Sequence, residues 1–202
     1  MINDMIPLQR FKSEWNQGLK NNKVTDYWIK DVLEWLENTI GKPTPHIRRK
    51  GATCPFVPKA LDIDSIYLTF PKENIEEISQ LAEYMIHCMN EFLQTPPHIA
   101  DESAIYKSFI VAFPYLNESN SIILKKLRAK IKPYFIRNGV TCGEFFEENT
   151  DKSVRNEEFY VAKSPVPLIA IRYVTPHDEL FLKSQPELYK VFNEWRDKIE
   201  NT

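Results

Sequence analysis

Apolar residues recur three and four positions apart in several stretches of the chain and crowd into β-branched or aromatic runs in others. That pattern predicts helices packed against a sheet. Leu8, Phe11, Trp15 and Leu19 place an amphipathic helix over residues 7–20. Trp28, Val32, Trp35 and Leu36 place a second one, capped by Thr25 or Asp26 and ended by Gly41 and Pro43. Ser65–Phe70 reads as a strand, and Asn74 then caps a long helix to Leu93 whose stripe runs Ile75, Ile78, Leu81, Ala82, Met85, Met89 and Phe92. Cys88 sits on that helix as a small hydrophobe and His87 on its solvated side.

Lys107–Phe113 is apolar almost throughout, as a strand buried on both faces would be, and is expected at the centre of the sheet. Ser119 or Ser121 starts the next helix, with Ile122, Ile123, Leu127 and Ile131 inward and Lys125, Lys126, Arg128, Lys130 and Lys132 outward as a solvated face. Pro133 is expected to kink or restart it, and Asn138-Gly139 to end it. Val140–Phe146 follows as a strand, with either a bulge or the close approach of another group expected at Gly143, then a polar loop from Glu147 to Asn156, a short strand at Phe159–Ala162 and a clear one at Pro167–Val174. Pro186–Ile199 closes the chain as a helix bearing Leu188, Val191, Phe192 and Trp195. Helix-length crossovers between strands give a mixed sheet with helices packed on it, an α+β fold.

The stretch that does not fit a plain connector is Pro43–Leu61. It holds four of the 14 prolines, with His46, Arg48, Arg49, Gly51 and Cys54. Prolines preset φ and remove donors, so such a loop is stiff enough to hold a thiol, an imidazole and guanidinium groups in fixed relation. The chain therefore divides into N-terminal helices (1–42), a Pro-rich motif loop (43–61), a sheet-and-helix core (62–182) and a C-terminal helix (183–202), as one domain.

At 202 residues and 43% hydrophobic, the chain suffices for one full core. A net charge of −2 with mixed signs gives no field for nucleic acid. No run approaches the length of a membrane span and the first residues lack a signal-peptide pattern, so no membrane partner and a cytosolic location are expected. Cys54, Cys88 and Cys142 form no C-x-x-C pair, which predicts reduced thiols.

Candidate chemistry concentrates on Cys54-Pro55, a dipeptide found as a haem-ligating pattern, with Arg48, Arg49 and Lys50 available to lower a thiol pKa or to pair an anion. His46 is a second axial ligand or a general base, and His177 beside Asp178 offers another imidazole. Arg172, near the end of an apolar strand, is either solvated or paired and functional. No zinc-peptidase, serine-hydrolase, phosphate-loop or dinucleotide motif is present.

The run P-H-I-R-R-K-G-A-T-C-P-F-V-P-K-A-L, with Tyr106–Pro114, Lys132–Phe145, Arg155–Phe159 and Ser164–Val174, resembles an uncharacterised bacterial domain family from Pro43 to Leu182. Arg49, Gly51, Cys54, Pro55, Phe56 and Pro58 match its G-R-x-G-x-x-C-P-F-V-P pattern, and Arg48 stands where glycine is usual. In layout the chain also resembles the YqcI/YcgG family of haem-dependent N-oxygenases, whose Phe-Pro-Cys is here Cys-Pro-Phe. That second resemblance implies a haem held by Cys54 or His46, with Arg49, Arg172 and His177 around it, and a small substrate whose amino or guanidino nitrogen Asp178 or Glu144 would hold. Two other readings stand beside it: an anion-binding module built on Arg48 and Arg49, and a thiol-dependent transferase using Cys54.

Overall fold

The computed structural model describes residues 6–20, 27–97, 104–117 and 121–200. Among them a five-stranded mixed sheet runs in the order β1-β2-β3-β7-β4, from β1 (Ile6–Pro7) through β2 (Ile66–Thr69), β3 (Ser108–Ala112) and β7 (Leu168–Tyr173) to β4 (Val140–Phe145). Only β2 and β3 are parallel, joined across the helix α4 (Ile78–Gln94); the other pairs are antiparallel. This is the expected α+β fold, with β3 inside the sheet. The edge strand β1 is too short to leave a periodic signal, and Pro7 is tolerated there because an edge leaves one row of donors unpaired.

Alternation along the strands divides the core into two layers. Tyr67, Phe109, Val111, Cys142, Ile169 and Ile171 face α4 and α5 (Ile123–Arg137). Ile66, Leu68, Ile110, Ala112 and Leu168 face α1 (Leu8–Lys20), α2 (Trp28–Trp35) and α3 (Val57–Asp62). A smaller cluster of Ile136, Val174, Leu182, Val191 and Phe192 seats α6 (Glu179–Leu182) and α7 (Pro186–Glu200) at the end of the sheet. No described helix is long and apolar enough to cross a membrane.

Several expectations are corrected. The Pro43–Leu61 stretch is not loop throughout: its last third is α3, with Pro58 in the first turn, where a missing N–H costs nothing. The long helix begins at Ile78 rather than after Asn74, whose side chain instead binds Glu76. Helix α5 continues through Pro133 to Arg137 without restarting. Gly143 makes no bulge, since the β4–β7 register is continuous and pairs it with Ala170. The strand expected at Phe159–Ala162 is β6 (Asn156–Tyr160), paired with β5 (Lys152–Ser153) in a separate ribbon outside the main sheet. Thr25 and Asp26, Ser119, and the side chains of Trp15 and Leu19 lie outside the described residues.

Lys107, just before β3, is fully buried. Its Nζ donates to the carbonyls of Phe92 and Thr95, both at 2.6 Å, and lies 4.3 Å and 4.9 Å from the ring centres of Phe92 and Tyr173. It thus caps the negative end of α4 with a charge, and two ring faces replace its water. Burial pushes this ammonium down to about 8, against 10.5 for an ordinary lysine. Between those values the unfolded chain keeps a proton that the folded chain has released, so stability should rise with pH across that window, by about 3 kcal/mol in all. Chemical denaturation from pH 7 to 10 checks this; Lys107→Met should be less stable at pH 7 and should lose the slope.

Candidate functional site

The motif loop is assembled from backbone outward. After α2 the helix widens into a π-helical turn, Leu36–Ile40, which ends when Gly41 N–H donates to Leu36 O at 2.8 Å. A Cβ on Gly41 would lie 2.6 Å from that oxygen, so only glycine fits. The chain then doubles back: Pro43 bridges Ala52, Thr53 N–H donates to Lys42 O, and Cys54 N–H donates to Ile40 O, the last two at 2.9 Å. Two left-handed residues, Arg48 (φ 51°) and Gly51 (φ 90°), make the reversal. The Arg49 guanidinium fills it, donating to the carbonyls of Ala52 at 2.7 Å, Thr53 at 2.8 Å and Lys50 at 3.0 Å. Arg49 is therefore a staple inside the loop, and most of its donors are spent on backbone.

This loop carries Cys54 and Phe56 to the end of β7. Arg172 shares the parity of Leu168 and Ala170, hence the sheet face on which Cys54 packs. Its guanidinium grips Asp178 through two bonds, of 2.9 Å and 2.5 Å, and donates to Tyr173 O at 2.8 Å. The Phe56 ring lies 5.6 Å from the guanidinium carbon, and Tyr106 lies 6.1 Å from Phe56. Cys54 is within electrostatic reach of Arg172 and favours its charge. Asp178 also accepts from Thr175 N–H at 2.7 Å and Thr175 Oγ1 at 3.1 Å, a capping box on the turn Pro176–Asp178.

The electrostatics follow from this geometry. Burial alone would raise Asp178, but the hydrogen bonds and charge of Arg172, with the Thr175 donors, hold it below the usual carboxylate range. Burial works against the charge of Arg172, and Asp178 outweighs it. Cys88 and Cys142 are buried, and burial pushes each thiol up to about 12. Cys54 is only half-buried, which makes it the accessible thiol of the three.

The remaining candidates lie elsewhere. His46 is exposed and stacks on Phe159 at 5.6 Å, while its carbonyl accepts from Asn156 Nδ2 at 2.7 Å; Arg48 approaches Glu158 at 4.0 Å. This limb docks on the β5–β6 ribbon. His177 is exposed in the middle of its turn. Glu144, paired in register with Ile169, faces α5 on the other side of the sheet from Cys54. Among the described residues no three His, Cys, Asp or Glu side chains gather as a metal site would need. For haem, the half-buried Cys54 is the one accessible thiol, while Arg49 and Arg172, expected to pair propionates, are already engaged by loop carbonyls and by Asp178.

A family model described as a domain of unknown function, DUF6875, matches residues 29–201. The chain belongs to the DUF6875 family. No curated protein and no solved structure matches it. The matched span takes in the whole Cys54 loop, β2 to β7 and the C-terminal turn, and leaves out β1 and α1. Both halves of the Cys54–Arg172–Asp178 cluster are thus DUF6875 elements, while the outer edge of the sheet is not.

The approach of Phe56 to Arg172, and of Tyr106 to Phe56, leaves no signal in the sequence, since nothing local links residues so far apart. The Thr175–Asp178 capping pattern does offer a signal for Asp178. Asp178→Asn, which leaves the Arg172 charge without its partner, should destabilise the domain by about 3 kcal/mol. A fall in the urea midpoint with unchanged slope checks this; a change under about 0.5 kcal/mol would show the pair to be incidental.

Proposed function

We propose that this DUF6875 domain works through the thiol of Cys54, as a thiol-dependent transferase acting on a small electrophilic metabolite. The observation that carries the reading is the juxtaposition of a half-buried cysteine, on a loop fixed by Arg49 and Pro55, with the guanidinium of Arg172. The sulfur is the nucleophile of this reading, and the fixed loop holds it in one direction. The sulfur attacks an electrophilic carbon, a sulfur–carbon bond forms, and the leaving group departs with its electron pair. The thiol proton goes to solvent, which reaches Cys54. An acceptor nucleophile then takes the group and restores the thiol. Phe56 and Tyr106 supply apolar walls, and Arg172 is held in place by Asp178.

Alkylation by iodoacetamide, mapped by mass spectrometry, tests this. Cys54 should react selectively and several-fold faster than an unstructured cysteine peptide at neutral pH, and Arg172→Lys should slow it. Equal reactivity with the peptide sinks the proposal. Cys88 and Cys142 should stay unmodified until the protein unfolds.

A second reading is a haem protein in which the Cys54 sulfur would hold the iron, favoured by the accessible thiol next to Pro55. Haem, when bound, would supply the oxygen activation that N-hydroxylation of an amino or guanidino nitrogen requires. Here the chain contributes the sulfur and the aromatic walls of Phe56 and Tyr106, while the carboxylate of Asp178 is already engaged by Arg172. Reconstitution should give a Soret band that moves in Cys54→Ala; a spectrum indifferent to that substitution ends this reading.

A further inference from the structure

At the opposite end of β7 from Arg172, roughly 17 Å away along the strand, the surface opens into a cleft of about 900 Å³. The buried Leu116 and Val166, the half-buried Trp28 and prolines flanking β3 and β7 give it an apolar lining. Asp31, Glu147 and Glu148, all exposed, bring three carboxylates to the same space. Its walls are fixed from behind. The Trp28 ring packs edge-on with Phe70, centres 4.8 Å apart. Glu147 and Glu148 are the central residues of a turn closed by Asn149 N–H, which donates to Phe146 O at 3.1 Å. The buried Asn149 side chain then donates to Glu144 O at 3.3 Å and accepts from Asp151 N–H at 2.9 Å. Val166 O accepts from Ser164 Oγ at 2.5 Å, and Phe113 N–H donates to Pro167 O at 2.8 Å. Walls held in this way need little reordering when a ligand arrives.

The lining contains no lysine, arginine or histidine. The bases nearest in sequence are spent elsewhere: Lys30 on Glu34 at 3.5 Å, Lys163 over the Tyr160 ring, and Lys125, which passes the ring of Phe146, on Asp151 at 2.8 Å. The cleft is therefore negative although the whole chain carries a charge of only −2. Its carboxylates are nonetheless spread out, since among the described residues no three acidic, histidine or cysteine side chains gather closely enough for a metal ion. A point cation is poorly matched to such a wall. A chain bearing several charges separated by methylenes matches both the spacing and the apolar lining, and an indole adds attraction for any ammonium over its face.

We infer that this cleft is a binding site for a small aliphatic polyamine. Asp31, Glu147 and Glu148 pair its ammonium groups, Leu116 and Val166 take the methylenes between them, and Trp28 lies against one of the charges. An exposed ion pair contributes little by itself, so affinity comes from several acting on one ligand inside the cleft, and a singly charged amine gains only a part of it. The site shares no residue with the Cys54–Arg172–Asp178 cluster and does not depend on the thiol reading.

Calorimetric titration of the full chain with spermidine tests the inference. One-to-one saturable binding that weakens as salt rises is expected, with n-butylamine binding at least ten-fold more weakly. Glu147→Gln combined with Glu148→Gln, two exposed turn positions whose change leaves the fold intact, should weaken spermidine at least ten-fold. Glu194→Gln combined with Glu200→Gln removes the same charge from the exposed face of α7 and should leave the affinity within two-fold. Trp28→Leu should weaken binding several-fold and Trp28→Phe much less. Absence of saturable binding overturns the inference. So does an equal loss in the two glutamine pairs, which would mark attraction to diffuse charge, or displacement of spermidine by magnesium at matched ionic strength, which would mark a metal site.

Discussion

The pairing of Arg172 with Asp178 is the interaction on which the candidate site rests. Taking a guanidinium and a carboxylate out of water costs several kcal/mol per ion, and only near-complete hydrogen bonding returns it. The pair meets that condition: two parallel bonds join the partners, Tyr173 O takes another arginine donor, and Thr175 supplies two donors to the carboxylate. The consequence is geometric. The end of β7, the turn after it and the start of α6 are held in one arrangement, and the ring of Phe56 closes over the charge. The Cys54 loop therefore docks against a fixed polar wall.

Rigidity on the loop side has a different source. Its prolines limit φ, but hydrogen bonding decides its shape: the π-helical turn ends on Gly41, the bridge joins Pro43 to Ala52, and Arg49 collects three carbonyls of the tight reversal. Such a π-helical turn is rare and is often found beside functional sites. Here it sets the direction in which the chain leaves α2, and hence where Cys54 N–H finds Ile40 O.

The sheet separates two chemistries. Because side chains alternate along a strand, Arg172 and Glu144, on neighbouring strands, project to opposite faces. One face gathers a soft sulfur, two aromatic rings and a neutralised ion pair. The other holds the ion pair of Arg128 with the buried Glu144 beneath α5. Lys107, a third buried charge, caps α4 and is fully engaged by carbonyls and rings.

What the chain determines by itself is local. The 3.6-residue stripes of α2, α4 and α7, the apolar run of β3 and the proline-stiffened motif follow from spacing and residue type, because neighbours in sequence settle which face is apolar and where a helix starts. Partner choice is decided only by the tertiary structure. Arg49 was legible as a charge beside Cys54, yet its donors turn inward to Ala52 and Thr53, and His46 meets Phe159 across more than a hundred residues. The lysines and arginines of α5 read as solvated because helical periodicity cannot see that β4 sets a buried carboxylate beneath Arg128. Periodicity gives the direction of a side chain relative to its own element; whether water, a carbonyl or an opposite charge waits there depends on how the elements pack.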